Sequence, residues 1–367
     1  MIIGHTRRMR QLAASRITVA TTIAALACGC ASASTTPAAR KAPAPVPLAR
    51  MVGQLMLVRM QGHAPSSAFR ARIRRGEIGG VVLFADNYGP AGPPSLVAQL
   101  QRIALDAGQP RLLIAIDQEG GVVRRLPGAP TLKPAQMTNA RIAEEQGLAT
   151  AQNLKRNGIG VDLAPVLDVG RGGFITARTF GSTPLQVANR GSAFARGLSS
   201  GGVIATGKHF PGLGYAETNT DNAPTIIRAT RAQLLADLLP YGRTIAEGLK
   251  IVLVGTAVYP ALGDRLPAAC SPRVVTSVLR HDLGFDGLVI TDDLNTPGVT
   301  RFLATPVAAV HAVAAGVDMV LTAGLPREAD RNSTAVYRAL AQAAKDKTLS
   351  RRRIAEAYAH VLALKRG

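Results

Sequence analysis

Tryptophan is absent from the 367-residue chain, aromatic residues make up 4% of it, and cysteine occurs three times. So few aromatics leave no stacking platform for a single nucleic-acid strand, and no nucleic-acid-binding motif replaces one. Two cysteines, Cys28 and Cys30, lie close to the N-terminus, which leaves Cys270 alone in the body and excludes an intramolecular disulfide framework. Outside the leader, His63, His281, His311 and His360 fall in a loop or on helices without ligand spacing, so a zinc site has no support. No Gly-x-Ser-x-Gly elbow is present for a serine nucleophile. No Gly-x-Gly-x-x-Gly turn follows an apolar run, which removes dinucleotide binding. Neither a metal nor a cofactor is expected.

Acids are scarce too: Asp and Glu total 23 against 43 Lys and Arg, for a formal charge of +20. Residues 1–30 contain Arg7, Arg8, Arg10 and Arg16 and no acid, so the remainder carries +16. That remainder is scattered in short groups such as Arg72, Arg74 and Arg75, the pattern of solvated faces, and no nucleic-acid partner is expected.

The chain is 47% hydrophobic and 18% charged, ample for a core of its own. Arg7 to Arg16 form a basic region, and residues 17–27 form an apolar run of signal-peptide length, too short to span a bilayer. Residues 1–30 therefore read as an export signal. The run ends in Leu26-Ala27-Cys28-Gly29-Cys30, which resembles a bacterial lipoprotein box, with Cys30 preferred and Cys28 the alternative as the lipidated residue. Residues 31–49, rich in Pro, Ala and Ser, read as an extended tether between a membrane and a folded body at 50–367. The expectation is an exported protein anchored to the cell membrane by lipid, or otherwise secreted.

Beyond the tether, short β-rich apolar runs alternate with amphipathic helical stretches, the pattern of a parallel sheet with crossover helices. Strands are expected at residues 53–58, 78–84, 112–117, 160–166, 203–210, 251–259, 288–292 and 317–322. Leu100, Ile103, Ala104 and Ala107 make one helical core stripe, and Leu234, Leu235, Leu238 and Leu239 another. Residues 352–364 read as a last covering helix. Eight strands over this length predict an α/β fold, a single (β/α)8 TIM-type barrel.

The active site of such a barrel lies at the C-terminal ends of its strands. There the sequence collects Asp117-Gln118-Glu119-Gly120-Gly121 with Arg124 and Arg125; Asp168 and Arg178; Lys208-His209-Phe210-Pro211-Gly212-Leu213-Gly214 with Glu217, Asn219 and Asp221; and Asp292-Asp293. Taken singly, each aspartate could be a helix cap and the Lys-His pair a satisfied polar pair behind the sheet. Lys208 could also serve a Schiff-base aldolase, although no second lysine stands beside it. Convergence of carboxylates, arginines and a Lys-His pair on one end argues for a polyhydroxylated ligand. Glycosidic hydrolysis needs one carboxylate at the anomeric carbon, an acid for the leaving oxygen and fixed donors for the hydroxyls.

Lys208 to Gly214 closely resembles the Lys-His-Phe-Pro-Gly-x-Gly motif of glycoside hydrolase family 3, in its single-domain bacterial β-N-acetylhexosaminidase branch. Residues 76–84 with Asn87, 117–121, 164–169, 178–180, 267–272, 284–293 and 315–321 match in order, so the resemblance covers about residues 50 to 365. It implies a retaining hydrolase of terminal β-linked N-acetylglucosamine, for instance from peptidoglycan fragments, and a glycan as the partner. By position Asp292 matches the nucleophile, and Asp117, Arg125, Arg178, Lys208 and His209 match the residues that hold sugar hydroxyls. Lys208 and Arg178 are expected to help keep Asp292 ionised. A monomer is expected.

One departure stands out. The branch carries Asp-Ser-His after the strand-five motif, its Asp-His pair serving as acid/base, where this chain has Asn219-Thr220-Asp221. Asp221 is the favoured replacement, because a complete binding set and a nucleophile argue against a dead site; Glu217 is the alternative. Loss of the acid would instead leave a weakened enzyme or a non-catalytic glycan-binding lipoprotein. A phosphorolytic variant is the further alternative, since an anionic acceptor suits a basic protein.

Overall fold

In the computed structural model, the described residues are 46–88 and 92–366. The expected signal, the lipoprotein box with Cys28 and Cys30, and tether residues 31–45 lie outside them. The folded body starts two residues before the expected boundary, with helix Leu48–Gln54.

Eight parallel strands form the sheet: β1 Met56–Arg59, β2 Gly80–Leu83, β3 Leu113–Ile116, β4 Val161–Asp162, β5 Ile204–Phe210, β6 Ile251–Val254, β7 Leu288–Thr291 and β8 Val320–Thr322. Their order is β8-β1-β2-β3-β4-β5-β6-β7. A parallel bridge between Ile290 and Met319 joins β7 to β8, with Thr291 N donating to Met319 O at 3.1 Å, so the sheet closes as the expected barrel. All eight expected strands are present but shorter. Residues 53–54 belong to the first helix, and β4 lasts two residues because Pro165 has no N–H to continue a ladder. Residues 255–259 leave β6 and turn to the loop after β5: Val258 N donates to Thr225 O, and Ile227 N to Val258 O, each at 2.9 Å.

The helical stripes fare unequally. Leu100 and Ala104 are buried on helix Gly92–Asp106 with Ile103 packed against the core. The second stripe is broken, since Pro240 restarts the helix and splits it into Arg231–Ala236 and Leu239–Ala246. Leu234 and Leu238 stay buried, while Leu235 and Leu239 face outward.

Alternation along each strand decides what reaches the mouth. Leu57, Val82, Ala115, Leu163, Leu253, Ile290 and Leu321 fill the barrel interior, and Val361 and Leu364 of helix Arg351–Arg366 pack into the same cluster. Two residues further along, the same parity brings Arg59, Phe84, Asp117 and Asp292 to the C-terminal end.

Candidate active site

A cavity of about 680 Å³ opens at that end, lined by Asp117, Arg125, Arg178, Lys208, His209, Asp221 and Asp292 among others. Every one of the seven expected catalytic and sugar-binding residues is therefore on one wall system. Glu217 is exposed and does not line it.

Its floor is an ion network. Lys208, 2% exposed, reaches Asp117 Oδ1 and Glu119 Oε1, both at 2.6 Å. Glu119, also 2% exposed, takes a two-pronged grip from Arg178, with Nη2 at 2.7 Å and Nε at 2.9 Å. Burial alone would raise the Glu119 carboxyl, but Lys208 and Arg178 outweigh it and hold it down at about 2. Burial likewise opposes the charge on Lys208, and Asp117 and Glu119 reverse that into a raised value.

His209 follows Lys208 through a cis peptide, and the β5–β6 register shifts between Gly207 and Phe210. Its Nδ1 lies 2.7 Å from Asp168 Oδ2, and Arg178 Nη2 donates to its Nε2 at 3.3 Å. Arg178 can only donate, so Nε2 accepts and the ring proton belongs on Nδ1, pointing at Asp168. Asp168 is fully buried and its Oδ1 also accepts Leu213 N at 2.7 Å, which ties the ring to the loop after β5.

Asp292 closes β7, with Oδ1 accepting the Asp293 N–H at 2.8 Å. Burial raises its carboxyl to about 6; His209 and Lys208 pull it down, and Asp221 pushes it further up. Lys208 thus acts on this group in the expected direction, but burial outweighs it. Arg178 is committed to Glu119, and Lys208 shares its charge between two other carboxylates. Asp293 lines the same cavity, its carboxylate accepting Asn295 N, Ala323 N and Gly324 N at 3.0, 2.9 and 2.7 Å, which clasps the ends of β7 and β8.

Asp221 sits exposed on the rim, its N–H donating to Asn219 Oδ1 at 3.0 Å. The buried Thr220 anchors this turn by accepting Gly298 N at 2.9 Å on its carbonyl. Across the mouth, Arg125 Nη2 lies 3.9 Å from Asp117 Oδ2, and Arg59, paired to Asp86 at 2.7 Å, stacks 4.1 Å over Phe84. Glu119 and Asp168 were visible in the sequence at strand ends, yet their roles, Glu119 as counter-ion to Lys208 and Arg178 and Asp168 as acceptor for the His209 ring, needed the tertiary fold. Arg59 had no sequence signal beyond its position ending β1.

The hairpin between Gln118–Gly120 and Val123–Arg124 turns through Gly121 and Val122, with Gly120 and Gly121 at φ of +95° and +63°. A Cβ on Gly120 would come 2.4 Å from Leu132 O, so only glycine fits there. That hairpin returns Arg125 to the cavity beside Asp117.

A (β/α)8 barrel whose mouth sets carboxylates around a Lys-Arg-His cluster carries the carboxylates and fixed donors that a glycoside hydrolase needs. The chain belongs to glycosyl hydrolase family 3, whose N-terminal domain matches residues 48–364. A secreted glycosyl hydrolase of Arthroderma benhamiae is 34% identical over 337 residues, covering 87% of this chain and 93% of that protein. The beta-hexosaminidase of Nitrosospira multiformis is 33% identical over 293 residues, covering 75% and 82%. Among solved structures, a family 3 beta-N-acetylglucosaminidase from Paenibacillus superposes with a TM-score of 0.83 at 33% identity over 88% of this chain. This chain spans 62% of that longer one.

Proposed function

We propose that the protein is a retaining hydrolase of terminal β-linked N-acetylglucosamine, with Asp292 as nucleophile and Asp221 as acid/base. The observation that carries this reading is the placement of Asp292 and Asp221 in one cavity, with Asp221 the carboxylate whose charge acts on Asp292. Relatives named as hexosaminidase and N-acetylglucosaminidase support the sugar. In the first step an Asp292 oxygen attacks the anomeric carbon while the bond to the leaving oxygen breaks and Asp221 gives that oxygen its proton. In the second, Asp221 takes a proton from water, the water oxygen bonds to the anomeric carbon, and Asp292 departs with its electron pair. Asp117, Arg125, Arg178, Lys208 and His209 hold the hydroxyls. Cell-wall fragments are the proposed source of substrate, consistent with the export signal and with a lipid anchor at Cys30 or Cys28.

The test is turnover of 4-nitrophenyl β-N-acetylglucosaminide against the matching β-glucoside, with Asp292→Ala and Asp221→Ala, with and without phosphate. Hydrolysis of the acetamido substrate that disappears in Asp292→Ala supports the proposal. Turnover dependent on phosphate identifies a phosphorylase instead, and well-folded protein that binds the sugar without turnover identifies a glycan-binding protein.

A further inference from the structure

Asp162 ends β4 fully buried, beneath the cavity rather than in it. Its partner across the sheet is Ile116, one residue before Asp117. Leu163 N donates to Ile116 O at 2.7 Å, and there the backbone ladder stops. The next N–H on the β3 side, that of Gln118, donates to the Asp162 side chain instead, at 3.0 Å to Oδ1. A carboxyl oxygen thus supplies the rung that the two-residue strand lacks.

Gln118 is the peptide joining Asp117 to Glu119, the two carboxylates that share Lys208. Its own side chain is fully used: Nε2 donates to Leu126 O and Ala129 O at 3.0 and 2.8 Å, and Oε1 accepts the N–H groups of Arg125 and Leu126, each at 2.9 Å. Three site residues, Asp117, Glu119 and Arg125, therefore take their backbone positions from one buried glutamine. The contact that fixes the glutamine backbone is Asp162.

We infer that Asp162 is a positioning residue for the sugar-binding carboxylates, and that it acts as a neutral carboxylic acid. The other oxygen, Oδ2, is buried without a hydrogen-bond partner among the described residues. An ionised carboxylate with one bare oxygen in such surroundings is strongly disfavoured. Burial pushes this group well above the ordinary carboxylate range, the Gln118 N–H and Lys208 opposing, and the nearby charges of Asp117 and Glu119 add to the rise. Only an acceptor at Oδ1 is needed, and a neutral acid provides one; its hydroxyl at Oδ2 is left unpaired, which costs less than an unpaired buried charge.

The test uses the full chain and three measurements. Asp162→Asn keeps the acceptor and has no charge to lose, so kcat/KM within about threefold of the parent is expected, with a superimposable pH profile. Asp162→Ala removes the acceptor and is expected to lower kcat/KM at least tenfold at a temperature where the variant remains folded; a purely structural role would lower the melting temperature and leave kcat/KM intact. The infrared difference spectrum of parent minus Asp162→Asn at pH 8 is expected to show the carbonyl stretch of a protonated carboxyl. A tenfold loss in Asp162→Asn, an unchanged kcat/KM in folded Asp162→Ala, or absence of that stretch overturns the inference. The kinetic arms rest on the glycosidase reading, whereas the spectrum does not, so it decides the protonation of Asp162, and with it the inference as stated if the stretch is absent, even if Asp162→Ala fails to fold or no substrate is turned over.

Discussion

Glu119 offers the sharpest handle on what holds the site together. It is a buried anion gripped by Lys208 at 2.6 Å and twice by Arg178. A carboxyl held at about 2 when it would ordinarily titrate at 4.5 corresponds to roughly 3 kcal/mol of folding stability at neutral pH. Because the folded value lies below the unfolded one, this contribution is complete above about pH 5 and disappears as pH falls toward 2. Glu119→Gln keeps the shape, removes the charge and leaves two buried cations short of a partner, a loss that falls in the range of about 3 to 5 kcal/mol for breaking a buried pair. Urea unfolding of parent and variant at pH 7 and pH 3 measures it. The expected difference is about 3 kcal/mol at pH 7 and less than half of that at pH 3. A difference below about 1 kcal/mol, or one that does not change between the two pH values, refutes the reasoning, because Lys208 and Arg178 would then not depend on this carboxylate.

Three further outcomes follow from the same geometry. The acid limb of kcat/KM is expected near pH 6, where Asp292 gains its proton, and Asp221→Asn moves it lower because a repelling charge is removed. At the ~5.5 Å separation of a retaining pair, Coulomb's law gives about 0.8 kcal/mol in water and about 3 kcal/mol at an effective dielectric of 20; exposure of Asp221 favours the lower end, a displacement of about half to one pH unit, read with an activated aryl glycoside. Asp168→Asn replaces the acceptor of the His209 ring proton and is expected to cost about 10- to 100-fold in kcat/KM, the scale of one charge-assisted hydrogen bond, with a pH–rate series and a melting curve as controls. Cys270, whose thiol burial raises to about 12, is expected to resist iodoacetamide in folded protein beginning at Val46 and to react in urea; alkylation at equal rates in both would show that this thiol is not buried.

The fold was legible because its signal is repetitive. Eight apolar runs separated by helical stretches leave few architectures, and parity along each strand carries Asp117 and Asp292 to the same mouth whatever the strand boundaries. Boundaries themselves were less legible, since they depend on single backbone events: Pro165 ending the ladder at β4, Pro240 splitting a helix whose leucine stripe looked continuous, and Val258 pairing with a loop rather than with a strand. The two prolines are local signals that an apolar stripe does not count, whereas the Val258 pairing involves a partner distant in sequence that apolar periodicity does not record.

The electrostatics of the site were the least legible part, and the reason is stoichiometric. Read along the chain, Lys208 and Arg178 look like cations available to Asp292. In three dimensions Glu119 binds both and Asp117 takes a further share of Lys208, so the pair's two positive charges face two carboxylates before Asp292 is considered. What remains for Asp292 is the polarity of His209 and a weak pull from Lys208, against burial and the charge of Asp221. The network therefore fixes its own donors rigidly while leaving the strand-seven carboxylate raised to about 6. Neutralising Glu119 would release Lys208 and Arg178 toward Asp292, so the same Glu119→Gln substitution that weakens the fold is expected to lower the acid limb below pH 6. Parallel measurement of stability and of the pH–rate profile on that one variant separates the two consequences: a stability loss with an unmoved limb would mean that the cations stay fixed to Asp117 and never reach Asp292.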